Sequence, residues 1–303
     1  MAAIDTKTVR IGWIGLGKMG IEMACNMQRH RKEHGLSDIT VYNRTASKCQ
    51  AVVELGAQAA SSLLEVVQAS DLLFFSLFGD DAVKQAMADI LASDIQSPLL
   101  IADTSTISPD TTKEILKLIE AARKPVKFCQ TPVWGIPAAA RAAQLVFVLS
   151  AGTDNAALTE IVVPAIARTT LDCGDDPVKA VQFKILGNFL ISSTLEAVSE
   201  GMAVVREAGI SPGLYLQFIK EMMPARSIVG HASKLVDDEA SKKDVAFSVA
   251  GGMKDVRHAI GVAESVGMKL PIAELTLQHL QWVADNGDVN WDWSALSYAL
   301  RKN

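Results

Sequence analysis

Gly15, Gly17 and Gly20 stand in the order G-x-G-x-x-G within Ile14-Gly15-Leu16-Gly17-Lys18-Met19-Gly20. That spacing suits an anion. The first glycine permits a tight turn, the second lets a pyrophosphate approach the backbone, and the third lets a helix pack close on a strand. The helix start then offers free N–H groups to the phosphate charge. A strand-to-helix turn with three glycines by chance has the same letters. Context separates the readings: the apolar run Val9 to Ile14 precedes the motif, and the helical pattern Met19 to Met27 follows it. Leu16, Lys18 and Met19 lie inside the same turn and are assigned with the glycines to a dinucleotide.

A second signal bears on which dinucleotide. In such folds a carboxylate at the end of the second strand grips the ribose hydroxyls of NAD. Here the strand-like Ile39 to Tyr42 ends in Asn43-Arg44-Thr45, with no acid. Arg44 offers a planar fork to a 2′-phosphate, with Asn43, Thr45 and Lys48 beside it. A solvated surface arginine reads the same way, but this is the position that discriminates cofactors, so NADP is expected over NAD. A third signal is Lys184 and Asn188, four apart and so on one helix face. Their neighbours Val181, Phe183, Ile185, Leu186, Phe189 and Leu190 are apolar. Desolvation there disfavours the charged lysine and fits it to exchange a proton with a reacting oxygen. On spacing alone, a lysine snorkelling from an amphipathic helix beside an incidental asparagine explains the pair as well.

These residues need elements to hold them. Leu72 to Phe75, Leu99 to Asp103, Val126 to Cys129 and Leu145 to Leu149 are further strand-like runs separated by helical stretches. Such runs imply a parallel sheet covered on both faces. From Pro177 the pattern turns helical: Val178 to Glu207 ended by Gly209, then Pro212 to Met222, Gly252 to Val266 and Ile272 to Asp285. The expected fold is therefore α/β: an N-terminal Rossmann domain, doubly wound with a mainly parallel sheet, over residues 1–176. A C-terminal all-α domain over 177–303 includes the long connecting helix.

The 303 residues are 49% hydrophobic and 21% charged, which excludes disorder as the main state. A net charge of −5 argues against a nucleic-acid partner. Cys25, Cys49, Cys129 and Cys173 form no CxxC pair and suggest reduced thiols and no metal site. The apolar runs are far short of the ~20 residues a membrane span needs. The opening Met1-Ala2-Ala3-Ile4-Asp5-Thr6-Lys7 lacks a leader's apolar core, so no membrane partner and a cytoplasmic location are expected. His231 and His258 are isolated and expected to be structural or solvated. Trp282, Trp291 and Trp293 are expected to pack a helical core or subunit contact, with Trp291-Asp292-Trp293 bordering a neighbouring subunit's substrate cleft as the alternative. Asp237 to Asp244 reads as an exposed charged loop.

Together these features resemble the β-hydroxyacid dehydrogenase family over nearly the whole chain. Gly15 to Gly20 with Met23 matches its cofactor motif, and Asp103-Thr104-Ser105-Thr106-Ile107-Ser108-Pro109 its second motif. Lys184 and Asn188 match its catalytic lysine and following asparagine, and Phe247 with Lys254-Asp255 its final motif. The resemblance implies that Thr106 sits beside nicotinamide and substrate, that Leu77 in the strand-four loop, Phe247 and Lys254 approach the cofactor, and that Lys184 is the general acid and base. Asn188 then holds the lysine or the substrate hydroxyl. The family's Asp-Ala-Pro-Val-Ser-Gly-Gly is here Gln130-Thr131-Pro132-Val133-Trp134-Gly135-Ile136. Trp134 replaces a carboxylate-binding serine and Ile136 a glycine. Either the substrate is a less polar carbonyl compound or its carboxylate is held elsewhere; Trp134 as loop packing is the plainer alternative. The resemblance implies an NADP(H)-dependent dehydrogenase or reductase acting on CH–OH donors. Its substrate is a small β-hydroxyacid, a semialdehyde or a related carbonyl compound, and its state a homodimer or higher homo-oligomer. The alternatives are an imine reductase-like enzyme, against which Lys184 argues, and a non-catalytic NADP-binding interaction module.

Overall fold

The computed structural model describes residues 4–237 and 239–301. Met1 to Ala3, part of the opening segment discussed above, and Asp238 of the acidic run lie outside the described residues. The chain divides into two compact units, between Lys184 and Ile185.

In the first unit six strands form one wholly parallel sheet in the order β3-β2-β1-β4-β5-β6. They are β1 (Ile11–Ile14), β2 (Thr40–Tyr42), β3 (Gln58–Ala59), β4 (Leu72–Phe75), β5 (Leu99–Asp103) and β6 (Val126–Gln130). The helices between them are α1 (Gly20–Glu33), α2 (Gln50–Val53), α3 (Leu63–Gln68), α4 (Asp80–Ala92) and α5 (Pro109–Ala122). Every residue of β1, β4 and β5 is buried, which is why these strands read as unbroken apolar runs. Trp13 and Phe74, register neighbours on β1 and β4, stack at 5.0 Å and hold the centre of the sheet. The strand order reverses between β1 and β4. At such a switch point the chain leaves adjacent strand ends in opposite directions and opens a crevice for a ligand.

Leu145–Leu149 departs from the expected single sheet. It is β8 of a separate three-stranded sheet, antiparallel to β7 (Val133–Trp134) and parallel to β9 (Ala167–Asp172). The short link after β6 bears on β7: only Thr131 and Pro132 separate the two, whereas a parallel return beside β6 needs a dozen residues or more, and β8 pairs with β7 instead. The short helices α6 (Pro137–Arg141) and α7 (Asn155–Val162) complete this region.

The long helix α8 (Pro177–Glu207) runs through the division between the units. The sequence places the boundary at the turn before it; Ala180 and Val181, on its first two turns, are instead buried within the first unit. The second unit continues with α9 (Pro212–Met222), α10 (Arg226–Val236), α11 (Ala240–Lys243), α12 (Val249–Ser265) and α13 (Pro271–Asn286), and ends in 3₁₀ turns over Trp293–Leu300. Proline stands at the start of α8, α9 and α13, where its missing N–H costs nothing. Trp293 is buried with Leu195, Val249, Met253, Leu280 and Leu296 in this unit's core. The segment read as a charged loop contains α11, and the Lys242 ammonium lies 5.2 Å over the Trp291 ring and 5.4 Å over the Tyr298 ring. The aromatic faces attract the cation and draw the segment onto the core.

Candidate functional site

The glycine turn follows β1 at the switch point. Gly15 has a φ of +96°, and a side chain there would run into the Ser76 carbonyl and the Leu77 side chain. A side chain at Gly20 would meet the Gly15 carbonyl and Ser76. These two glycines answer to the protein itself. Gly17 does not: a Cβ there meets nothing within 4 Å. The open backbone at Gly17 and an α1 start without a side-chain cap are what a pyrophosphate requires. Lys18 is exposed and Met19 half-buried at the same helix start. Asn43 tightens the crevice, its Oδ1 accepting the Leu16 N–H at 2.9 Å and its Nδ2 donating to the Thr45 carbonyl at 2.9 Å. Arg44 and Thr45 are exposed at the end of β2.

The loops after β4 and β5 are tied together. The Leu77 N–H donates to Ser105 Oγ at 2.8 Å, and the Ser105 N–H to Asp103 Oδ1 at 2.8 Å. Thr106 is half-buried in the same loop, and Ser108 caps α5 by accepting the Thr111 N–H. Burial pushes the Asp103 carboxyl up to about 6, against the lowering effect of Ser105 and Gln130 hydrogen bonds.

Lys184 is 5% exposed, and its Nζ lies 5.0 Å over the Trp134 ring. Phe183 meets the same indole edge-on, with ring centres 5.4 Å apart. The Trp134 Nε1 is buried and has no hydrogen-bond partner among the described residues. Gly135, at φ +144°, leaves no room for a side chain against Leu145, so its glycine is explained by the turn. Ile136 is 48% exposed ahead of α6.

In the second unit, Asn188 Nδ2 donates to Asp255 Oδ2 at 2.6 Å, and Lys254 Nζ lies 3.0 Å from Asp255 Oδ1. One buried carboxylate thus orients both predicted side chains. The Phe247 ring packs edge-on against Trp293 at 5.0 Å, and its N–H donates to the buried Asp292. His231 is half-buried, its ring meeting Trp293 edge-on, and burial of that ring pushes it down to about 4. Asp103, Gln130 and Asp255 were not singled out from sequence, although each lies inside or beside a recognised motif. Nothing in a linear pattern shows which acid will be buried.

Residues 10–174 match the family described as the NAD binding domain of 6-phosphogluconate dehydrogenase. Residues 179–300 match that described as NAD-binding of NADP-dependent 3-hydroxyisobutyrate dehydrogenase. The chain belongs to the β-hydroxyacid dehydrogenase family. Membership makes it an NAD(P)-dependent oxidoreductase. Among curated relatives, glyoxylate/succinic semialdehyde reductase 2 of Arabidopsis thaliana is 29% identical, over 97% of this chain and 80% of that protein. The NADH-dependent oxidoreductase ucdB of Aspergillus ustus is 27% identical, over 93% of this chain and 96% of that protein. Among solved structures, 3-hydroxyisobutyrate dehydrogenase from Salmonella typhimurium superposes with a TM-score of 0.81 at 22% identity, covering 96% of this chain and 99% of that one. That likeness shows the β-hydroxyacid dehydrogenase fold.

Proposed function

We propose that this β-hydroxyacid dehydrogenase relative is an NADP-dependent reductase of small semialdehydes, or of related less polar carbonyl compounds, with Lys184 as the proton donor. The carrying observation is the buried Lys184 ammonium lying over the Trp134 indole. A lysine withdrawn from water and fixed by an aromatic face is oriented for proton transfer rather than for solubility. When bound, the nicotinamide supplies the hydride; the chain's work is to bind, orient and move a proton. Gly15 to Gly20 would hold the pyrophosphate, and Asn43, Arg44 and Thr45 the adenosine ribose and its 2′-phosphate. Leu77, Thr106, Phe247 and Lys254 are proposed to line the nicotinamide end. In reduction Lys184 Nζ gives a proton to the carbonyl oxygen, and in oxidation it removes one from the hydroxyl. Asn188, aligned by Asp255, steadies the substrate oxygen or the lysine.

Trp134, Gly135 and Ile136 are assigned to the substrate. With the family's serine replaced by an indole, this pocket wall favours a weakly polar carbonyl compound, and the unpartnered Trp134 N–H remains to hold one oxygen. The Trp134–Phe183 pair also favours a second reading, reduction of an imine. The protein is further proposed to act as a homodimer or higher homo-oligomer.

The test is NADPH and NADH oxidation with succinic semialdehyde, glyoxylate, an apolar aldehyde and a cyclic imine, repeated with Lys184→Ala. Carbonyl turnover should prefer NADPH and fall by about 10²- to 10⁴-fold in the variant. Undiminished carbonyl turnover by Lys184→Ala overturns the mechanism. Turnover of the imine alone selects the second reading. Cofactor binding without any turnover makes the protein a binding module.

A further inference from the structure

Asp103 ends β5 wholly buried, and both its carboxyl oxygens accept hydrogen bonds: Oδ1 from the Ser105 N–H at 2.8 Å, Oδ2 from Gln130 Nε2 at 2.9 Å. Its backbone carbonyl accepts the Thr131 N–H at 2.7 Å. Through Ser105 Oγ the connection reaches the Leu77 N–H. Gln130 is itself fixed by Ser150, whose Oγ accepts the Gln130 N–H at 3.0 Å and donates to the Gln130 carbonyl at 2.9 Å. Asp103, with its own backbone carbonyl and with Ser105, therefore ties the loops that carry Leu77 and Thr106 to the end of β6, from which the chain runs through Thr131 and Pro132 to Trp134 on β7.

We infer that Asp103 and Gln130 form a positioning pair that sets the cofactor-side and substrate-side loops of the first unit in one register. Packing alone does not explain the choice of residue. An asparagine would fill the same space without a charge, and a buried carboxylate is costly. The carboxylate accepts from both facing donors in charge-assisted bonds, whereas asparagine meets them only with the Gln130 amide turned and through weaker neutral bonds. Gln130 adds a second matched state, neutral and more weakly bonded. Its Oε1 is buried with no hydrogen-bond partner among the described residues. A protonated Asp103 needs an acceptor for its O–H, and rotation of the Gln130 amide presents that oxygen. The aspartate of the resembled motif, in the place of Gln130, would instead set two acids against each other. The titratable groups facing Asp103 are Asp80 at the start of α4 and the Cys129 thiol on β6. The charges of Lys127 and Asp154 are paired with each other at 2.6 Å.

The purpose of the pair rests on the oxidoreductase reading; its test does not. Amide exchange of the full chain without ligand, corrected for intrinsic rates, is compared at pH 5 and pH 8 for wild type, Asp103→Asn and Gln130→Met. At pH 8 both variants should exchange faster over 76–78, 104–107 and 131–135 together, by about ten- to a hundredfold in Asp103→Asn and less in Gln130→Met. Residues 43–45 should be unchanged. The wild type should loosen in the same three segments at pH 5, and Asp103→Asn should lose that pH step. In turnover, the acid limb of kcat should vanish in Asp103→Asn and move to higher pH in Gln130→Met, with KM for NADPH changed less than kcat. Faster exchange confined to 104–107, or spread evenly over the unit, overturns the proposal, as does an unchanged acid limb. Should Asp103→Asn not fold, Gln130→Met decides alone. Absence of any turnover refutes the oxidoreductase reading and leaves the exchange result to judge the pair.

Discussion

Glu196 is a carboxyl group held out of water on α8, and His279 of α13 is what it holds on to. The Nδ1 of His279 lies 2.6 Å from Glu196 Oε1, and Glu196 is 2% exposed. Burial raises the Glu196 pKa, while His279 and Thr276 pull it back down. A raised folded-state value means that the fold favours the protonated acid. Its contribution to stability is complete below the unfolded carboxyl value and is lost as pH rises through the folded one. Removing the imidazole raises the folded value further and widens that window. His279→Leu should therefore cost roughly 1.5–3 kcal/mol at pH 8, the worth of a hydrogen bond to a charged group, and clearly less at pH 5, read from urea unfolding at both. An equal loss at the two pH values would mean that His279 contributes packing and not a hydrogen bond to the carboxylate. At this scale the sequence is legible only where partners lie within a helix turn. Lys184 and Asn188 stand out by their spacing of four, but Asn188 and Asp255 are 67 residues apart, and Glu196 and His279 are 83 apart. The fold alone makes them neighbours.

The elements divide in the same way. The buried strands β1, β4 and β5 were legible because parallel strands covered on both faces carry apolar runs. β9 was not, because Arg168, Thr169, Thr170 and Asp172 leave part of it facing water. β7 was not, because two residues carry no period. The glycine turn was legible as a strand-to-helix turn, and its three glycines can be separated by experiment. A methyl at Gly20 is driven into the Gly15 carbonyl, which is backbone and cannot swing aside. Gly20→Ala should lower stability by about 1–3 kcal/mol and disturb the turn before any cofactor is added. At Gly17 the methyl meets no protein atom. Gly17→Ala should melt like the wild type yet bind NADPH at least about tenfold more weakly, because the methyl occupies the path of the pyrophosphate. Thermal unfolding with NADPH fluorescence titration on both variants checks this. If Gly17→Ala binds NADPH as tightly as the wild type, the phosphate does not sit on this turn.

At the scale of the whole molecule, the second unit exposes a run of large apolar side chains on and around α9. Leu214, Phe218 and Met222 recur every four residues along one side of α9 and are 58%, 53% and 67% exposed, which makes a continuous apolar stripe on the helix. Met223 and Ile210, just beyond its two ends, are also about half exposed, at 50% and 47%. A patch of this kind marks an interaction surface or an aggregation hazard. In a homo-oligomer, the assembly implied by the family resemblance, the simplest arrangement is isologous, so each residue enters the contact twice. One substitution then acts on both sides of the interface. Leu214→Glu with Phe218→Glu would set like charges facing each other across the axis and withdraw the apolar area that draws the copies together. The wild type should sediment as a dimer or larger species at micromolar concentration, with a melting temperature that rises with concentration. The double variant should sediment as a monomer with unchanged helical content, and its NADPH affinity should persist, because the glycine turn belongs to the first unit. A wild type that sediments as a monomer at tens of micromolar would refute self-association through α9 and leave the stripe to a different protein.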